Sequence, residues 1–484
     1  FSICRSACSL LKQLPPVIGM ASSPIGTCTT ASSLTQSISC VGCTELVKSD
    51  FNHTVQLKAL PVPTAKLKSC IGTLKKLMPS FVKLASIVEG PDAGTKLALM
   101  DPKLLDRRQS LLNQAELAHL AEFGVNLGDK LQADQLETRT VAVTYEHYSL
   151  SAVLDRLLPP NTQLSSFSVV GHIAHFNLKE EVLPYGQLIG QVVISKLPNI
   201  RTVVNKRSQI NNEYRNFELE LLAGEPNYVT LHKEYGLEFE LDFSKVYWNS
   251  RLSTEHHRVV EKLRPGDLVF DLCAGVGPFA VPALKLGATV FANDLNPTAH
   301  SYLEANLRRN LRKSQLISQP ELVKAFNMDA REFVAGVLAP RYAEAVASGF
   351  EQQVVAIANL PGMAVDLLDC FVGCVKELLT PEVAKSAPPV RIFAYSFLRH
   401  GDTGGSRGEA EAALIGRICD RLAGGVQPCD IRLRFVRDVA TNKDMYCAEI
   451  RCPASLLAAS SCCRPSAVCD GIDDQTASKK PRLA

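Results

Sequence analysis

DLVFDLCAGVGPFA, residues 267–280, is an apolar strand that ends on Asp271, runs into a glycine turn at Gly275 and Gly277, and opens a helix at Pro278. The pattern continues downstream. ATVFANDLNP (288–297) is the next strand and TAHSYLEANLRRN (298–310) the helix after it. VVAIANLPG (354–362) is a strand closed by a turn, and RIFAYSF (391–397) another strand. Strands that alternate with helices from 251 to about 452 predict a doubly wound parallel α/β sheet with helices on both faces.

Upstream the periodicity changes. VAVTYEHY (141–148) reads as a strand, and SLSAVLDRLLP (149–159) as a helix that Pro159 and Pro160 bring to an end. FSVVGHIAHFNL (167–178), GQLIGQVVIS (186–195), NEYRNFELELLAG (212–224) and YVTLHKEYGLEFELDFSKVYW (228–248) follow. Alternation at 217–221 and 237–242 predicts a mostly antiparallel sheet with one wet face. Earlier still, LLDRRQSLLNQAELAHLAEF (104–123) has the three-and-four spacing of one amphipathic helix in a small α/β module. The expected division is an extension over 1–44, an N-terminal module over 45–142, a middle α+β domain over 143–250, the doubly wound domain over 251–455 and a tail over 456–484.

At 484 residues, with 46% hydrophobic and 21% charged, the chain has material for two or three cores and too little charge for a disordered protein. Its 52 Lys+Arg against 49 Asp+Glu exclude a strongly cationic binder, though not a nucleic-acid enzyme with a local basic surface. No run of about 18 uncharged apolar residues is present, so no transmembrane helix is expected. The 16 cysteines include Cys40 and Cys43 in the leader and Cys462, Cys463 and Cys469 in the tail. That spacing does not suit a zinc site, and no metal is expected. The leader to residue 42 lacks Asp and Glu and is rich in Ser and Thr, as in an organelle transit segment; the tail closes on Lys479, Lys480, Pro481 and Arg482, as in a nuclear signal. The expected compartment is the cytoplasm, with mitochondrial and nuclear pools.

Gly275, Gly277 and Ala280 fit the dinucleotide turn, and Asp294 stands where a ribose-binding acid belongs. Any adenosine-bearing ligand shares those needs. Three details favour a cofactor with a cationic tail and no phosphate. Asp271 would repel a pyrophosphate. Pro278 removes an N–H that a phosphate would use. Asn359, followed by Leu360 and Pro361, closes a strand at the sheet edge where ligands bind in such folds. S-adenosylmethionine suits this set better than a nicotinamide cofactor.

VYWNSRLSTEHHRVVEKLRPGDLVFDLCAGVGPFA (246–280), ANDLNP (292–297), FNMDAREF (326–333), ANLPG (358–362) and VRDVATNKDMYC (436–447), with GHIAHFNL (171–178), LIGQVV (188–193), VNK (204–206) and YRNFELELLAGE (214–225) upstream, resemble the archaeal–eukaryotic tRNA (guanine-N1-)-methyltransferases that modify position 37. TYEHYS (144–149) and the region 75–102 extend the likeness, which covers roughly 45–452. The resemblance implies a Rossmann-type class I methyltransferase domain, a middle domain that contributes to the site and an N-terminal domain at the tRNA elbow. It implies tRNA as partner, through anticodon stem-loop and elbow, and a monomer. It assigns Glu255 as general base, Arg215 as the cation near the target guanine and Asn359 as the strand-end partner. Cofactor contacts are implied at His256, Asp294, Leu295, Asp329, Ala330 and Asn359, beside the candidates Asp271, Gly275, Gly277 and Pro361 that the local pattern gives. NSRL stands where the family commonly has a proline before the arginine, and DAREF where a glycine often follows the aspartate.

Guanine N1 carries a proton, and its removal puts negative charge largely on O6. A carboxylate and a guanidinium suit those two tasks. Each residue has a plainer reading as well. Glu255 could close a capping box with Ser253 or Thr254. Arg215 could pair on a surface strand, His256 and His257 could be exposed, and Asp329 could cap the helix near Arg331. The basic stretches 307–313 and 200–207, with Lys75, Lys76 and Lys83, are candidate phosphate contacts. Competing functions are aminocarboxypropyl transfer to tRNA in wybutosine synthesis, a nicotinamide oxidoreductase, and a non-catalytic tRNA-binding protein.

Overall fold

A computed structural model describes residues 45–127, 136–162, 164–209, 217–311, 323–399, 406–440 and 442–460. Arg215, Cys40, Cys43 and the tail cysteines lie outside the described residues. Two compact units are formed, with Lys48–Tyr148 in the first and Ser149 onward in the second.

The first unit is built on a four-stranded antiparallel sheet of β1 (His53–Pro63), β2 (Ile87–Glu89), β3 (Thr95–Met100) and β4 (Glu137–Val143), in the order β2-β3-β1-β4. β4 pairs along β1, so its last residues and the turn Tyr145–His147 belong to this unit. The single helix expected over 104–123 is instead three short pieces, Pro102–Asp106, Arg108–Leu111 and Gln114–Glu122. The break has a local cause. Asn113 caps the last piece in a reciprocal capping box with Glu116, and an N-cap residue cannot be helical itself.

The second unit opens with the helix Leu150–Leu157, capped by Ser149. β5 (Ser168–Val170), β6 (Ile173–Phe176), β7 (Thr202–Gln209) and β8 (Phe217–Gly224) then form a sheet in chain order, antiparallel except for the β6–β7 pair. GQLIGQVVIS lies in the helix Gly186–Lys196, within the long crossover connection that a parallel β6–β7 pair needs. β9 (Val229–Glu234) and β10 (Leu237–Asp242) form a separate hairpin.

The large sheet has β11 (Leu268–Asp271), β12 (Thr289–Asn293), β13 (Val323–Phe326), β14 (Val354–Ala358), β15 (Val390–Arg399), β16 (Ile431–Ala440) and β17 (Lys443–Cys452), in the order β13-β12-β11-β14-β15-β17-β16. The first five run parallel, and β17 enters antiparallel between β15 and the edge strand β16. Strand order reverses between β11 and β14, which opens a crevice at their C-terminal ends. One face packs under the helices Ser253–Val260, Ala280–Leu286 and Pro297–Asn310 with the β9–β10 hairpin, the other under Ala339–Ala347 and Arg407–Arg421. The last helix among the described residues, Ala454–Leu457, buries Leu456 and Leu457, so the folded part runs past residue 455.

Candidate functional site

The strand ends at the crevice are tied by side-chain amides. Asn293, buried at the end of β12, donates to the Leu272 and Met328 carbonyls at 3.1 and 3.0 Å and accepts the Met328 N–H at 3.1 Å. Asn327 donates to the carbonyls of Asp294 and Leu295 at 2.7 and 2.9 Å. These amides hold the loops after β11, β12 and β13 together, and sequence reading missed both, because their partners are backbone atoms of other strands.

Within that frame Gly275 and Gly277 take positive φ, 55° and 98°. A Cβ at Gly277 would lie 2.9 Å from both Leu303 and Val281, whereas one at Gly275 would meet nothing within 4 Å. Only Gly277 is therefore required by packing; the space over Gly275 is open. Asp294 reaches back to that turn. Its carboxylate accepts the Gly275 N–H at 2.7 Å and the Asn296 N–H at 2.9 Å, while burial, the larger influence, raises its pKa.

Asp271 closes β11 with no exposure, and both carboxylate oxygens lack a partner at hydrogen-bonding geometry. Burial, and then the nearby charge of Asp294, pushes its pKa well above the usual carboxylate value. Asn359, just past the end of β14, has its side-chain oxygen buried without a partner. Three orphaned acceptor atoms gathered at the ends of two neighbouring strands point to a ligand that supplies donors. The open glycine turn, the two aspartates and Asn359 fit an adenosine group joined to a cationic tail.

The other implied cofactor residues are distributed around this crevice. Leu295 is exposed. Asp329 caps the helix Ala330–Phe333 through the Arg331 N–H at 2.7 Å, as its plainer reading had it, and Ala330 is buried. The Pro361 carbonyl accepts the Phe397 N–H at 3.3 Å. His256 is buried, with its ring 4.8 Å edge-on from Phe279 of the glycine turn and its Nδ1 2.9 Å from Glu234 on β9. His257, its neighbour, is exposed and stacks on Tyr235.

Glu255 is only 5% exposed. The helix Ser253–Val260 has Leu252 as its N-cap and no side-chain cap, so the capping-box reading of Glu255 does not hold. Its carboxylate instead accepts two bonds from Arg258, Nε to Oε2 at 2.7 Å and Nη2 to Oε1 at 2.6 Å, and the Tyr395 hydroxyl donates to Oε1 at 2.9 Å. Arg258 also donates to Glu449 at 2.5 Å, and Glu449 accepts from Lys262 and Arg391. Burial works against the charge of Arg258, but Glu255 and Glu449 outweigh it and raise its pKa. Burial alone would raise Glu449, yet the Lys262 and Arg258 hydrogen bonds bring it below its usual value. Arg258, Tyr395 and Glu449 carried no sequence signal except the i,i+3 spacing of Glu255 and Arg258.

β14 and β15 bring Glu255 into relation with Asn359. Ala358 pairs with Ala394, so Asn359 and Tyr395 are the next residues on adjacent parallel strands. Ile357, Phe393 and Tyr395 share the core face under the Glu255 helix.

The basic stretches are partly neutralised. Lys76 pairs with Glu116, Lys83 with Glu146, Arg207 with Glu220 and Arg309 with Glu240. Less compensated charge lies near Arg251, which donates to the Ser168 and Ser166 hydroxyls at 3.0 and 3.2 Å. Burial, then Arg251, lowers the Lys206 pKa to about 8, and the same pair of causes lowers that of Arg437.

The profile of the TRM5/TYW2 methyltransferase domain matches residues 230–360, and that of the TYW2 N-terminal domain residues 150–227. A tRNA (guanine(37)-N(1))-methyltransferase of Danio rerio is 37% identical over 425 residues, covering 86% of this chain and 83% of the relative. The human enzyme of that name is 35% identical over 420 residues, covering 86% and 77%. Among solved structures, Trm5b from Pyrococcus abyssi aligns over 81% of this chain and 98% of its own with a TM-score of 0.52 and 24% identity, a likeness of fold.

Proposed function

The chain belongs to the tRNA (guanine(37)-N1)-methyltransferase family, and on that premise we propose that it transfers a methyl group from S-adenosylmethionine to N1 of guanosine 37 in tRNA. The observation that carries the reading is the buried Glu255 carboxylate, presented by Arg258 and Tyr395 on the strand next to the one that Asn359 follows.

Asp294 accepts from the ribose hydroxyls, the open turn at Gly275 admits the nucleoside, and Asp271 receives the cationic amino-acid tail. His256, Leu295, Asp329, Ala330 and Pro361 line the remainder of the cofactor site. When bound, the cofactor supplies an electrophilic methyl on a sulfonium. Glu255 takes the N1 proton, Arg215 offsets the charge that develops on O6, and Asn359 donates to and accepts from the base edge. Most of the remaining rate gain is orientation. The protein acts as a monomer on tRNA, with the anticodon stem-loop at the catalytic crevice and the first unit at the elbow.

The test is transfer of labelled methyl to unmodified tRNA with guanosine or adenosine at position 37, followed by mass analysis of the nucleoside. A gain of one methyl, confined to guanosine, is expected. A gain of an aminocarboxypropyl group, or none, overturns the reading. Glu255→Gln should slow the single-turnover step by about 100-fold or more with tRNA affinity retained.

A further inference from the structure

We infer that Oε2 of Glu255 is the atom that takes the N1 proton, and that Tyr395 and Arg258 are positioning residues that leave this one acceptor site open; the inference rests on the reading of Glu255 as the base. A carboxylate offers about four lone-pair sites. On Oε1, the Tyr395 hydroxyl at 2.9 Å and Arg258 Nη2 at 2.6 Å account for two. On Oε2, Arg258 Nε at 2.7 Å accounts for one. One site remains, and it is on Oε2.

The surroundings of the two oxygens differ in the same sense. Oε1 faces Tyr395, which is fully buried with its ring 6.0 Å from Phe279. Oε2 faces the edge strand β16, where Arg434 Nε stands 4.0 Å away, beyond hydrogen-bond reach, on a side chain 51% exposed. Oε2 is thus the oxygen on the side of the partly exposed Arg434, and Oε1 the one enclosed in the core. Arg258 cannot turn aside to release Oε1 without leaving Glu449, itself held by Lys262 and Arg391.

The charged and titratable groups that face Glu255 are Arg258 on its own helix, Tyr395 on β15, Arg434 on β16 and Cys447 on β17. Burial, reinforced by Cys447 and Glu255, raises the Tyr395 pKa well above its usual value, so its hydroxyl remains a donor. In the step itself the N1–H bond breaks, an Oε2–H bond forms and the electron pair stays on the guanine ring. Tyr395 and Arg258 stay on Oε1 throughout, so the carboxyl does not rotate as it gains the proton.

The experiment measures single-turnover methyl transfer to unmodified guanosine-37 tRNA from about pH 5.5 to 9, with the full chain and the variants Tyr395→Phe and Arg258→Lys. Loss of the tyrosine hydroxyl should lower the plateau rate at least about tenfold, the effect of one hydrogen bond to a charged group. Half-saturation by tRNA and by cofactor should not change. The acidic limb should move to higher pH, because a lost donor to the carboxylate favours its protonated form. Arg258→Lys keeps the charge beside Glu449 but cannot fork, and should show the same split; it decides the matter alone if Tyr395→Phe does not fold. Wild-type rates with an unmoved limb overturn the inference, as does a change confined to half-saturation or to the folded fraction. Failure of the wild-type chain to form 1-methylguanosine overturns the base reading together with it.

Discussion

Replacing Asp271 with Asn separates what this carboxylate does for the fold from what it does for the ligand. It is fully buried, and neither oxygen has a partner at hydrogen-bonding geometry. Because its pKa is raised in the folded state, the folded protein holds this proton at pH values where the unfolded chain has released it. Stability contributed by that proton is therefore lost as pH rises from about 3.8 through the folded value. An unpartnered buried polar group costs about 1–3 kcal/mol, and more when charged. Asn keeps the shape and needs no proton taken up on folding, but leaves an amide to satisfy, so the ligand-free variant should gain about 1–2 kcal/mol at pH 7. At roughly 2–4 °C per kcal/mol for a domain of this size, the melting temperature should rise by a few degrees, with a smaller decline towards alkaline pH. Cofactor binding should move the other way. A charge-assisted hydrogen bond contributes about 1.5–3 kcal/mol, so S-adenosylmethionine affinity should fall by about one to two orders of magnitude. Thermal unfolding from pH 5 to 8, with and without saturating cofactor, and titration calorimetry read both effects. A ligand-free variant less stable than wild type, or an unchanged dissociation constant, refutes the reasoning.

Gly277→Ala should cost about 1–3 kcal/mol in urea unfolding, since its Cβ would meet Leu303 and Val281 at 2.9 Å with φ at 98°; Gly275→Ala, which meets nothing, should spare more of the fold and lose cofactor affinity instead. His175 is held at a pKa of about 3 by burial first, then by Lys206 and Arg251. Its folded value lies below the ordinary 6.5, so the stability it contributes is complete above that pH and lost as pH falls, by up to about 1.4 kcal/mol per unit. Urea unfolding at pH 7 and pH 5 should show wild type losing about 2 kcal/mol more than His175→Gln; equal losses refute it.

The parallel strands and the glycine turn were legible because buried strands, crossover helices and positive-φ glycines write themselves into local sequence. So was the position of Asp294 beside that turn, where its carboxylate accepts the Gly275 N–H. The break at Asn113 was not, because residues 104–123 keep helical spacing on both sides of a cap whose effect lies in one reciprocal pair, Asn113 with Glu116. The partners of Glu255 were hidden for a different reason. Tyr395, and Glu449 on the far side of Arg258, stand 140 and 194 residues away along the chain and are brought in only by the pairing of β15 with β17. The plainer reading of Glu255 used neighbours within three residues, and only tertiary packing discriminates the two.

The helix Ser253–Val260 presents consecutive residues to two masters: Glu255 to the sheet, His256 to Glu234 on the β9–β10 hairpin. Hairpin and catalytic domain are thus poor candidates for exchange between relatives as independent cassettes. A chimera joined at residue 250 would graft the base onto a foreign hairpin, and its histidine would be stranded unless the donor also brought an acid at the position of Glu234. Recombination in this family should therefore tolerate crossovers upstream of β9 better than those between β10 and the helix.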